Sequence, residues 1–102
     1  MAQIVVLYKT PRDKGAFDKH YAEKHIPLAK KIPGLKKYEI SQGPVATPAG
    51  PSEVYLVATL QFDNMAAIQK AFSSPEGQAT TADVPTFATG GAEILLFENR
   101  PA

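Results

Sequence analysis

Three segments of this 102-residue chain carry almost no polar alternation, and that feature restricts the folds open to it more than any other. Residues 3–9 hold Ile4, Val5, Val6, Leu7 and Tyr8 in succession before Thr10-Pro11, residues 53–62 read EVYLVATLQF, and residues 92–97 read AEILLF. Short apolar runs rich in β-branched and aromatic residues, bounded by turn formers, read as strands. Successive side chains of a strand point to opposite faces, so strands of this kind need cover on both sides of their sheet.

The segments between them supply helices for one side only. Asp13 is a plausible N-cap for a first helix that carries Phe17, Tyr21, Leu28 and Ile32 and ends at Pro33-Gly34. At about 100° per residue those four fall within an arc of roughly 60°, whereas Lys19, Glu23, Lys30 and also Ile26 point away. Residues 35–42 (LKKYEISQ) read as a weaker strand and residues 43–52 (GPVATPAGPS) as a flexible hairpin loop. Asp63 or Asn64 caps a second helix over 65–72, with Met65, Ile68 and Phe72 as its buried stripe. Residues 73–91 are mixed, with a short helix around 76–82.

The order is strand, helix, strand, strand, helix, strand. It predicts an α+β, ferredoxin-like βαββαβ domain spanning residues 1–102, a four-stranded antiparallel sheet with both helices on one face. The other face is left apolar and bare. A second copy of the same sheet is the simplest cover, which predicts a homodimer through the sheet face; the alternative is a monomer whose loop folds under the sheet.

Composition narrows the function classes. The net charge of +1 is low for an electrostatic nucleic-acid binder, and EVYLVATLQF lacks the basic and Gly-aromatic pattern of base-stacking strands, so no nucleic-acid partner is expected. With no cysteine there is no thiolate chemistry and no Cys-based metal site. The start MAQIVVLYKTPRD has no signal-peptide pattern, and no apolar run approaches the roughly 20 residues of a bilayer span, so a cytoplasmic protein without a membrane role is expected. Gly90-Gly91 precedes a strand rather than opening a helix, which gives nucleotide cofactors no support. Lys30, Lys31, Lys36 and Lys37 form a small basic patch, an attractor for an anionic substrate or simply a solvated helix end.

Both histidines lie in the first helix, His25 at one edge of the apolar arc and His20 beyond the other. Pro27 has no N–H to give the Glu23 carbonyl, so the helix should kink or restart beside His25 and tilt the imidazole toward the space between helix and sheet. Each histidine is a candidate for acid/base work or for a hydrogen-bonded place in the packing. Five residues apart, they diverge by approximately 140° around a helix, so no metal site is expected. Asp83 either orients a histidine or caps a turn. Tyr8, Tyr21, Tyr55, Phe72 and Phe87 are candidates to line an apolar, substrate-binding cavity, or plain core.

The series Phe17, His20-Tyr21, His25, Pro27-Leu28, Ile32-Pro33-Gly34-Leu35 and Tyr38, followed by Ser74-Pro75-Glu76-Gly77, Asp83 and Phe87, resembles the EthD family, named for ethyl tert-butyl ether degradation. The resemblance covers most of the chain and implies the dimeric α+β barrel superfamily, which includes cofactor-independent monooxygenases, muconolactone isomerases and polyketide cyclases. It implies a small enzyme or accessory protein of oxidative catabolism that takes a small apolar or aromatic ligand and needs no cofactor. His25 would serve there as proton acceptor or donor, with His20 or Asp83 orienting it. The alternative is a non-catalytic dimeric carrier or sequestering protein using the same cavity.

Overall fold

In the computed structural model, which describes residues 1–102, the three apolar runs are strands of one sheet. β1 (Ala2–Lys9) lies between β5 (Val54–Phe62) and β6 (Ala92–Glu98), and β2 (Lys37–Ile40) completes the order β2-β5-β1-β6. Every pairing is antiparallel, the ferredoxin-like arrangement expected from the element order. β3 (Ala46–Thr47) and β4 (Gly50–Pro51) form a small hairpin of their own in the Pro/Gly-rich connection.

The first helix is not one helix. α1 (Lys14–His20) begins at Asp13, whose Oδ1 accepts the Ala16 N–H at 3.0 Å, and gives way to a π-helical turn over Tyr21–His25 before α2 (Ile26–Lys30). The Ile26 N–H reaches back five residues to the Tyr21 carbonyl. Pro27 then falls in the first turn of α2, where a missing donor costs little. The wide turn holds an extra residue, so everything beyond it is rotated relative to a regular helical wheel. Ile26, which that wheel turns outward, is half-buried against the core.

α3 (Met65–Ser73) is capped by Asn64 rather than Asp63, through the Ala67 N–H at 2.8 Å. α4 (Pro75–Phe87) runs five residues past the short helix expected around 76–82. Pro85 and the β-branched Thr and Val around it argue against helix. Tertiary packing overrides them: Phe87 is buried against the rings of Tyr8, Phe17 and Tyr21. Gly77 lets α4 pack against the end of α3, because a Cβ there would clash with the Ala71 carbonyl oxygen.

The helices cover one face of the sheet. Ala2, Ile4, Val6 and Tyr8 of β1 and Ala58, Leu60 and Phe62 of β5 are buried there beneath Phe17, Tyr21, Ala29, Ile32, Ile68 and Ala71. The opposite face corrects the expectation of grease throughout. Register places Val5, Leu7, Val57, Leu95 and Phe97 on one half of it, with Glu93 beside Leu7 at its end, but Gln3, Lys37, Glu39, Thr59 and Gln61 gather on the other. β6 is exposed along its whole length, and even its helix-side residues Ile94 and Leu96 remain 48% and 50% exposed.

Candidate functional site

Three side chains from α1, the π turn and α4 meet at one carboxylate. His25 Nδ1 lies 3.0 Å from Asp83 Oδ2, and His20 Nε2 lies 2.9 Å from Oδ1 and 3.0 Å from Oδ2. On a regular wheel the two histidines diverge, and the extra residue of the π turn is what swings both to the same side. Asp83 stands two residues before Pro85, and Thr86 adds a hydroxyl bond to its Oδ1 at 3.1 Å. The histidine side chains differ in exposure: His25 is 5% exposed and His20 31%.

The electrostatics fix the protonation pattern. Burial lowers the His25 pKa below its ordinary 6.5, against a smaller upward pull from Asp83, so at neutral pH the ring is uncharged. Burial works against ionisation of Asp83 as well, but hydrogen bonds from His20, His25 and Thr86 outweigh it and the carboxyl titrates below 3.8. An ionised Asp83 only accepts, so His25 carries its proton on Nδ1 and presents an unprotonated Nε2 on the other side. Nε2 faces the Tyr8 hydroxyl at 3.5 Å.

On that side lies a cavity of about 40 Å³ between helices and sheet. Its wall is apolar (Ile4, Val6, Ala29, Ile32, Leu60 and Val84 among others) apart from His25, the hydroxyls of Tyr8, Tyr21 and Tyr38, and two threonines of α4. Thr80 and Thr81 give their hydroxyls to the carbonyls of Glu76 and Gly77. Phe72 and Ile94 also line it.

The candidate residues therefore separate. Tyr8, Tyr21, His25 and Phe72 line this cavity, while Asp83 stands behind His25 and His20 behind Asp83. Phe87 does not reach it; its ring packs 4.8 Å from His25 and 5.2 Å from His20 and lines, with His20, a cleft on the outer side. Tyr55 is also elsewhere. β1 and β5 slip register between Tyr8 and Lys9, leaving Tyr55 as the bulged residue, turned against Phe17 with its hydroxyl donated to Asp18 at 2.8 and 3.0 Å. Lys36 and Lys37 of the basic patch pair with Asp63 and Glu39 at the surface. No cluster of three His, Asp or Glu donors is arranged around a common cation position.

Tyr38 also lines the cavity, although it is not among the aromatic residues expected there. Its position between Lys37 and Glu39, an aromatic alternating with charges on a weak strand, is the signal that puts it on the inner face.

A family model described as the EthD domain matches residues 9–91. The chain is 39% identical over 98 residues, 96% of its length and 94% of the other's, to a Rhodococcus erythropolis protein named as an uncharacterized 11.0 kDa protein of the thcB-thcC intergenic region. It superposes with a TM-score of 0.90 and 35% identity on the crystal structure of an EthD family protein from Bacillus halodurans, covering 98% of this chain and 99% of that one. SnoaB from Streptomyces nogalater, described as a cofactor-independent oxygenase, shares the fold at a TM-score of 0.69 with 15% identity, covering 99% and 94% of the two chains.

Proposed function

The chain belongs to the EthD family, and from that premise we propose that it is a small cofactor-independent enzyme or accessory protein of oxidative catabolism, acting on an apolar or aromatic organic molecule bound between helices and sheet. One observation carries the reading: a buried, neutral imidazole donates its Nδ1–H to the Asp83 carboxylate and turns its unprotonated Nε2, beside the Tyr8 hydroxyl, into an apolar cavity. Such a nitrogen is a general base. When Nε2 takes a proton the ring becomes an imidazolium beside the Asp83 carboxylate, which holds the ring's orientation and offsets its charge. His20, on the same carboxylate, is a positioning residue that keeps Asp83 ionised and aimed.

Removing a proton from an electron-rich phenol or an activated carbon opens isomerisation, cyclisation or direct reaction with oxygen. Loss of charge-stabilising water from the cavity strengthens each electrostatic contact made there. The protein works as a homodimer, with the apolar half of the open sheet face as the contact. In that half Leu95 and Phe97 are exposed and Val5, Leu7 and Val57 half-buried, apolar surface that the helices leave uncovered.

Incubation with a panel of phenols and aromatic ketones in D₂O, followed by proton NMR, tests the base directly. Wild type should catalyse carbon–hydrogen exchange on at least one binder, and His25→Ala should slow it about 100-fold or more with affinity changed only a few-fold. Exchange equally fast in His25→Ala defeats the assigned role. Binding without exchange on any compound favours a carrier.

A further inference from the structure

The cavity contains a second polar feature that acid/base work by His25 does not require. Tyr21 Oη and Tyr38 Oη lie 2.6 Å apart, on rings that come from the π turn and from β2. Building on the proposed function, we infer that this hydroxyl pair stabilises the oxyanion formed when His25 takes a proton, and that the ligand is neutral, extended and mostly apolar, with one carbonyl or phenol oxygen at its tip.

The hydrogen count comes first. Two hydroxyls hold two protons, and their mutual bond uses one. The other runs on toward the Tyr8 hydroxyl, which itself faces His25 Nε2, and passes to a ligand oxygen when one enters between them. Burial pushes Tyr8, Tyr21 and Tyr38 all upward, so each stays a protonated donor through the neutral range. Their place in the wall matches the base: the Tyr21 ring lies 5.2 Å from the His25 ring and 5.6 Å from the Tyr8 ring.

Charge comes next. No lysine, arginine or carboxylate lines the cavity, and the two threonine hydroxyls are spent on their own helix. A ligand that enters as an anion finds no counterion. A neutral ligand whose oxygen gains charge only during reaction finds a waiting donor, the arrangement that accelerates a proton transfer.

Size decides the shape. About 40 Å³ admits the tip of a ligand and no more. The cavity shares Phe72, Thr81 and Ile94 with a groove of about 570 Å³ between α3, α4 and β6, where Ile68 and Leu96 continue the apolar wall. The body of the molecule lies there, which explains why Ile94 and Leu96 face the helix side and yet stay half exposed.

The step balances without any redox partner. His25 Nε2 takes the proton from the carbon beside a carbonyl, the carbon–hydrogen pair becomes the enolate double bond, and the carbonyl π pair moves to the oxygen held by the tyrosine hydroxyl. Return of the same proton from Nε2, to the original carbon or to a conjugated one, regenerates the base and gives exchange or isomerisation. With a phenol the proton comes from oxygen and the phenolate is held in the same way.

The test uses 2-nitrophenols bearing 4-alkyl chains of increasing length, whose phenolates are visible by absorbance. Bound to wild type, the probe should ionise about tenfold or more readily than in solution; in Tyr38→Phe and Tyr21→Phe that gain should disappear while the neutral probe binds within about threefold. Affinity should rise about fourfold per added methylene, and Leu96→Asp should flatten that dependence. Equal ionisation in wild type and both tyrosine variants, lost only in His25→Gln, overturns the oxyanion assignment and leaves the histidine site standing. Absence of binding by every probe at millimolar concentration overturns the cavity reading and this inference with it. Thermal melts of the variants separate a lost hydroxyl from a lost fold.

Discussion

One carboxylate holds two imidazoles and burial governs the inner one, so acid should undo the fold by a defined route. His25 titrates below 6.5 in the folded chain, so as the pH falls through that value the unfolded chain binds the proton first and stability drops. Asp83 titrates below 3.8 when folded, and the contribution of its ionised form is likewise lost as the pH falls through the acid range. Both slopes have the same sign. Urea midpoints measured from pH 8 to pH 3 should fall in both windows, and His25→Gln should flatten the upper one. Asp83→Asn removes the charge that partly props up the His25 pKa, so NMR titration should find it lower still, with a stability loss at neutral pH of about 1–3 kcal/mol. At this scale the sequence discloses its chemistry unevenly. With two histidines and no cysteine the search for a base has few places to go, and Asp83 is a candidate carboxylate with Pro85 and Phe87 shortly after it. That the three converge is not legible, because it depends on one extra residue in the turn over Tyr21–His25, and no local signal but Pro27 announces that turn.

Elements here are placed by short-range geometry more than by propensity. α3 and α4 join through Ser74, whose hydroxyl accepts the Gly77 N–H at 3.1 Å, and Gly77 sits where any side chain would press on the Ala71 carbonyl and Phe72 Cα. Gly77→Ala should therefore destabilise by about 1–3 kcal/mol in a denaturant titration despite the better helix propensity of alanine. A neutral or stabilising result would show that α4 is free to shift, in which case Asp83 would not be held rigidly. The strands were legible because their runs are short, apolar and bounded by proline, glycine or asparagine. α4 was not, since Pro85, three threonines and a valine weaken every helical signal that its packing restores. The bulge that carries Tyr55 is invisible for a related reason: the unbroken apolar run of residues 54–58 continues through it, and only pairing with Tyr8 and Lys9 shows the slip.

The whole molecule presents two apolar surfaces, one on each side of β6, to which the proposed function assigns different roles. Leu95 and Phe97, 43% and 40% exposed, continue the open face begun by Val5, Leu7 and Val57, whereas Ile94 and Leu96 edge the groove on the helix side. A two-fold contact buries one self-complementary patch on each subunit, and an apolar half bordered by Lys37, Glu39, Gln3 and Gln61 has the makings of a core with a polar rim. Because neighbours along a strand point to opposite faces, the two roles can be separated by adjacent substitutions. Phe97→Glu should shift sedimentation from twice the 11.0 kDa chain mass to a single chain at micromolar concentration, since it forces a charge into the contact on both subunits. Leu96→Asp, one residue away, should leave the sedimentation unchanged and weaken ligand binding. If both variants dissociate, β6 is gripped by the partner on its two sides and the groove belongs to the interface. If neither does, and the wild type sediments as one chain, the open face is left to water and the homodimer is wrong.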